Sequence, residues 1–143
     1  MRRIATLLAA MLLTINVSAD DRHITFGELP KNAKVFVLTY FKDTPIKEVV
    51  IERRASLAQY ELELGNGFKL QFDRMGFCTE ISTKHGAVPA EVMPKKIVDA
   101  VKKHFPQHHV KKFENNGRMY EVELDNDVVL TFSKTFRLVD VDE

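Results

Sequence analysis

The chain has 143 residues, 45% of them hydrophobic and 29% charged, a balance that fits one globular domain and excludes disorder, collagen and a disulfide-dense scaffold. Its 21 Lys and Arg against 20 Asp and Glu leave a net charge of +1, too small for a nucleic-acid footprint. The single cysteine, Cys78, leaves no internal disulfide and no cysteine-rich zinc site.

Residues 1–19 stand apart in composition. Arg2 and Arg3 precede a mostly apolar run from Ile4 to Leu13, and Val17, Ser18 and Ala19 precede Asp20 and Asp21. A cationic start, a short apolar middle and small residues at the end are the order of a secretory signal peptide. The run is shorter than the roughly 20 residues a spanning helix needs, and no charged side makes it amphipathic. The expected domain is residues 20–143, periplasmic or secreted, with no membrane span. In an oxidising compartment Cys78 reads as a small buried hydrophobe rather than a nucleophile.

Two stretches then resemble each other. Leu29-Pro30-Lys31 recurs as Met93-Pro94-Lys95, Phe41 as Phe105 and Ile46 as Val110, 64 positions on. Tyr60-Glu61-Leu62-Glu63-Leu64 recurs as Tyr120-Glu121-Val122-Glu123-Leu124, with Phe68, Leu70 and Phe72 recurring as Val128, Leu130 and Phe132, 60 positions on. A four-residue deletion in a hairpin loop reconciles the two offsets, and the chain reads as two repeats, 24–83 and 89–142. The repeat decides an ambiguity in the first copy. Val35 to Phe41 is β-branched and aromatic, yet its counterpart from Pro94 to Phe105 has Ile97, Val98, Val101 and Phe105 at helical spacing with lysines opposite. Pro94 suits a first helical position. Pro30 to Lys42 is therefore predicted as a helix, with Ala33, Val37 and Phe41 on one stripe.

Period-two alternation follows each helix. In the first copy it predicts strands at Ile46 to Arg53, Leu57 to Leu64, Phe68 to Asp73 and Phe77 to Ser82, and Lys84 to Val92 is the connector. Gly65-Asn66-Gly67, Asn115-Asn116-Gly117 and Asp125-Asn126-Asp127 supply turns. The expected fold is α+β, a tandem repeat of one helix plus about four antiparallel strands with the helices packed on one face of the sheet. Tyr60, Leu62, Phe68, Leu70, Phe72, Tyr120, Val122, Leu130 and Phe132 would pack against Val37, Phe41, Val101 and Phe105.

On these residues the sequence resembles the β-lactamase-inhibitor-like, PepSY-like family of exported bacterial proteins over nearly all of Ile24 to Asp142. In the first copy the resemblance rests on Glu28-Leu29-Pro30, Ala33 and Phe36, on Tyr60-Glu61-Leu62 with Leu64, Asn66 and Gly67, and on Phe72-Asp73 with Gly76-Phe77. In the second it rests on Met93-Pro94, Phe105-Pro106 and Tyr120-Glu121-Val122 with Leu124. At Phe132-Ser133-Lys134-Thr135-Phe136 the Asp and the Gly are absent, so the last turn of the second copy is expected to differ. The resemblance implies a fold like that of the secreted β-lactamase inhibitor proteins, whose open sheet grips a partner. No inhibitor contact residue maps onto this chain, so inhibition does not transfer with the fold.

Catalytic patterns are wanting. Cys78 with His85 lacks a group to orient the imidazole, and His104 and His108, at helical spacing for a shared metal, are separated by Phe105-Pro106, which ends the helix. No nucleophile elbow, Walker loop or dinucleotide fingerprint is present. The sequence thus predicts no enzyme and no cofactor. Alternation instead sets Glu61, Glu63, Glu121 and Glu123 on the outward strand face with Lys69, Gln71 and Lys111 near them. An open wet face does not separate carboxylate pKa values, so general acid and base work is not expected there. A charged solvent face is the plainer reading. If the chain has a site, it is this face, docking a protein or peptide through Glu61, Glu63, Lys69, Gln71, Glu121 and Glu123. The alternative is capture of a small ligand or cation by the same carboxylates.

Overall fold

The computed structural model describes residues 21–54 and 57–143, so the proposed signal peptide lies outside the described residues. The elements in chain order are β1 (Arg22–His23), α1 (Lys31–Tyr40), β2 (Ile46–Arg54), β3 (Leu57–Leu64), β4 (Phe68–Phe72), β5 (Cys78–Thr83), α2 (Lys95–His104), β6 (Val110–Asn115), β7 (Met119–Leu124), β8 (Val129–Ser133) and β9 (Leu138–Asp142). All nine strands form one antiparallel sheet in the order β1 to β9, so each strand pairs with its neighbours in sequence.

The expected α+β arrangement, one helix plus about four strands written twice with the helices covering a face, is corrected by this architecture. The molecule is mostly a single nine-stranded sheet, and its α-helical part among the described residues is two ten-residue helices. Alternation along a strand specifies its faces but not its lateral neighbour. The seam between β5 and β6, Glu80↔Glu114, Ile81↔Phe113 and Ser82↔Lys112, carries one ladder through both halves. The added strand β1 pairs with Val50 and Ile51. A ten-residue helix is about 15 Å long, whereas nine strands at about 4.8 Å spacing span about 38 Å, so strand pairing rather than helical cover organises the fold.

Burial follows the alternation. Leu62, Leu64, Leu70, Phe72, Ile81, Val122, Leu124, Leu130 and Phe132 are almost fully buried and share one cluster with Ala33, Val37, Ile97 and Val101 of the helices. That burial explains why Lys31–Tyr40 coils despite its β-branched content, because tertiary packing overrides propensity. Pro30 and Pro94, expected as the first helical residues, instead stand one position before the helices as their N-caps, in extended conformation. The register Tyr60↔Phe72 and Leu62↔Leu70 of β3–β4 has its like in Tyr120↔Phe132 and Val122↔Leu130 of β7–β8.

The last turn of the second half does not differ in backbone. Gly76 N–H donates to the Asp73 carbonyl and Asp73 N–H to the Phe77 carbonyl; Phe136 N–H and Ser133 N–H make the same two bonds to Ser133 and Arg137. Ser133 Oγ accepts from Arg137 N–H at 3.2 Å where Asp73 Oδ1 accepts from Met75 and Phe77 N–H. Gly76 has φ +86°, and Phe136 adopts φ 65° in its place, its ring 5.3 Å from that of Tyr120.

Candidate functional site

The sheet fixes where each outward side chain stands. Antiparallel pairing sets residues of successive strands side by side, so the registers can be followed across the sheet. One row runs Glu61↔Gln71, Gln71↔Glu80, Glu80↔Glu114, Glu114↔Glu121, Glu121↔Thr131 and Thr131↔Asp140. The next runs Glu63↔Lys69, Lys69↔Ser82, Ser82↔Lys112, Lys112↔Glu123 and Glu123↔Val129. The first row is acidic or neutral from end to end; the second carries the lysines.

All six residues expected from the sequence lie half-exposed on these two rows. Glu61, Glu63, Lys69 and Gln71 are brought together on β3 and β4, with Lys69 Nζ 3.7 Å from Glu61. Glu121 and Glu123 stand together on β7, separated from β4 by the two strands β5 and β6 and so not in contact with the first group. Between them are Glu80, Lys112 and Glu114, which sequence reasoning missed. Lys112 Nζ lies 3.5 Å from both Glu80 and Glu114. The cause of the omission is a bulge in each strand. Pairing shifts between Gln71 and Phe72 against β5, and between Val110 and Lys112 in β6, so buried Val110 and Phe113 are three residues apart and the period of two is broken.

The face is locally neutralised at its margins. Lys47 Nζ lies 3.0 Å from Glu63, and that hydrogen bond holds the Glu63 carboxyl below its ordinary value. Lys111 Nζ is 3.2 Å from Glu123 and also bonds Asp127; these two bonds raise the ammonium. For Lys112, partial desolvation works to lower the ammonium and is outweighed by Glu80 and Glu114, which raise it. No ion pair to Glu121 exists among the described residues.

A groove of about 580 Å³ opens on this face between the β4–β5 and β6–β7 turns, lined by Gln59, Gln71, Glu80 and Glu114 among others. Gln59 Nε2 donates to Gln71 Oε1 at 2.6 Å. At its rim Met75 and Phe77 are 61% and 55% exposed. The turn that presents them is held rigidly: Asn32 Nδ2 donates to the Met75 carbonyl at 3.1 Å, and Gly76 abuts Pro30 and Ala33.

The other candidate chemistries fall elsewhere. Burial pushes the Cys78 thiol up to about 12, against a weaker bond to the Glu80 carbonyl, so the group is protonated at neutral pH. His85 has no part in that contact. α2 ends at His104, and His108 beyond it turns to Asp125, Nδ1 to Oδ1 2.8 Å, with His109 3.4 Å from the other oxygen. Desolvation works to raise Asp125, but the His108 bond and the nearby imidazoles outweigh it and lower the carboxyl. Among the described residues no group of three or more His, Cys, Asp or Glu has metal-site geometry.

The model of the family described as "Putative beta-lactamase-inhibitor-like, PepSY-like" matches the sequence twice, over residues 16–79 and 58–140. Three solved structures share the fold. A "putative periplasmic protein" of the DUF2874 family from Bacteroides vulgatus is 32% identical, with TM-score 0.84 over 88% of this chain and 99% of that one. A "putative calcium-regulated periplasmic protein" from Bacteroides thetaiotaomicron is 32% identical, with TM-score 0.85 over 88% and 99%. A second B. vulgatus protein, a "putative periplasmic protein of unknown function", is 25% identical, with TM-score 0.81 over 86% and 99%. No curated protein matches the chain. The sequence leads to a periplasmic or secreted protein, and all three solved relatives are described as "putative" periplasmic proteins.

Proposed function

This chain belongs to the β-lactamase-inhibitor-like, PepSY-like family, and from that premise we propose that it is a periplasmic binding protein without catalysis of its own, docking a protein or peptide on its outward strand face. The observation that carries the reading is the transverse row Glu61, Gln71, Glu80, Glu114 and Glu121, five strands wide and lying beside a groove with two exposed apolar side chains at its rim. Such a surface offers apolar anchors beside charges that steer approach and fix register. The buried protonated thiol and the open carboxylates offer neither an activated nucleophile nor a poised acid and base.

The test is capture from a periplasmic extract on immobilised protein, compared with the double variant Glu61→Lys, Glu121→Lys. A partner retained by the native face and released by the variant is expected; an unchanged set of retained proteins overturns the reading.

A second reading, cation capture, is favoured by the words "calcium-regulated" attached to the B. thetaiotaomicron relative. Glu114 and Glu121, paired across β6 and β7, are the residues for it, although Lys112 beside Glu114 competes for the same charge. Calorimetry with Ca²⁺ on the metal-free protein separates the two: heat that Glu121→Gln abolishes supports capture, and no heat removes it.

A further inference from the structure

The two helices bury similar stripes but show different outer faces. On α1, Lys31, Val35 and Leu38 succeed one another at intervals of four and three along one side, and Lys42 lies in the turn just beyond the helix. Val35 and Leu38 are 53% and 54% exposed, whereas Ala33 and Val37 are buried. With Pro30 set against Pro94, the positions of Val35 and Leu38 are taken in α2 by Asp99 and Lys102, both exposed. A helix in the same setting is thus polar at both places, and the fold does not require apolar side chains there. Isolated exposed apolar residues need no explanation, but an apolar pair framed by charges of one sign on a single helix face does.

The framing charges are Lys31, Lys34 and Lys42. α1 contains no carboxylate; the nearest acids in sequence are Glu28, three positions before it and bonded to Thr25, and Asp43, three positions after it. Lys34 Nζ reaches the Gly27 carbonyl at 3.2 Å, and among the described residues neither Lys31 nor Lys42 makes an ion pair. A second copy docked here would set the same three ammonium groups against each other. An apolar partner would leave them unanswered. An anionic bilayer answers both features, receiving the apolar pair at the headgroup boundary and the lysines at lipid phosphates.

We propose that the outer face of α1 is a peripheral docking surface for anionic phospholipid. Among the described residues no helix is long and apolar enough to cross a membrane, so the contact is one of surface and not of span. Two apolar side chains and three lysines make it reversible and salt-sensitive. The carboxylate row of the strand face is repelled by the same lipid and stays open. The residues are separate from those of the binding reading, and either stands without the other.

Co-sedimentation of the exported protein with vesicles of phosphatidylethanolamine and phosphatidylglycerol, against phosphatidylcholine alone, tests this. The variant Val35→Asp, Leu38→Lys copies α2 and leaves the net charge unchanged, with far-UV circular dichroism confirming that it folds. Binding to the anionic vesicles only, weakened by salt and about tenfold weaker in the variant, is the expected result. Three outcomes overturn the proposal: no binding to anionic vesicles, equal binding to neutral ones, or a variant that binds as well as the native protein. A concentration-dependent dimer in light scattering, lost in the variant and accompanied by no vesicle binding, assigns the face to self-association instead.

Discussion

Gly67 and Gly76 both hold a positive φ, +89° and +86°, but a methyl group at the two positions meets different surroundings. At Gly67 nothing lies within 4 Å, so Gly67→Ala should cost only the left-handed backbone term, about 1 kcal/mol. At Gly76 the added carbon falls 2.8 Å from the Ala33 nitrogen and from Pro30 Cβ, and the cost should rise to about 3 kcal/mol. Urea midpoints of the two variants check the difference, and similar losses would refute the packing argument. The sequence marks Gly76 and its absence at Phe136, but not that Phe136 would accept the strained angle; its ring contact with Tyr120 lies 16 positions away in sequence. At Cys78 burial raises the thiol to about 12, so iodoacetamide at pH 8 should label the folded protein at least about tenfold more slowly than the urea-unfolded one. Because the folded value is the higher, this group's contribution to stability is complete below the unfolded thiol's ordinary value of about 8.5 and is lost as pH rises above it.

Between elements, the α2–β6 connection is tied to the β7–β8 turn by His108 and His109 on Asp125, and by Asp125 N–H on the His109 carbonyl at 3.0 Å. The Asp125 carboxyl is lowered in the folded state, so its contribution is present above the unfolded carboxyl value and is lost as pH falls through the folded one. The denaturation midpoint of Asp125→Asn should therefore lie below that of the native protein at pH 6, with the gap closing toward pH 3. A gap independent of pH would show the pairing to be unimportant. Elements were legible where period is strict: Leu62 and Leu64 against Glu61 and Glu63 give β3 its faces directly. They were illegible at the bulges, since the extra residue at Lys111 hides the outward phase of Lys112 and Glu114, and with it the middle of the candidate site.

Across the whole molecule, the seam of β5 and β6 decides whether the halves behave as one. Ile81, 1% exposed, pairs with Leu70 on one side and Phe113 on the other. Ile81→Ala should lower stability by about 3 kcal/mol and do so in a single transition, with the amides of β3 and β7 losing hydrogen-exchange protection together. Separate loss in the two strands would mean that the halves are energetically independent. Individual strands and α2 could be read from periodicity, and α1 from its repeat counterpart, but the single sheet could not, because nothing in Glu80-Ile81-Ser82 names Lys112-Phe113-Glu114 as its neighbour. Once the ladder is known, its strictly sequential order carries a consequence for how the chain comes to be folded. Every strand closes onto the one made just before it, so most ladders close short hairpin loops, and only the β1–β2 and β5–β6 pairings, which span α1 and α2, must close longer ones. A polypeptide threaded across a membrane amino end first can add each strand to an existing edge as it emerges, without waiting for any later segment to arrive.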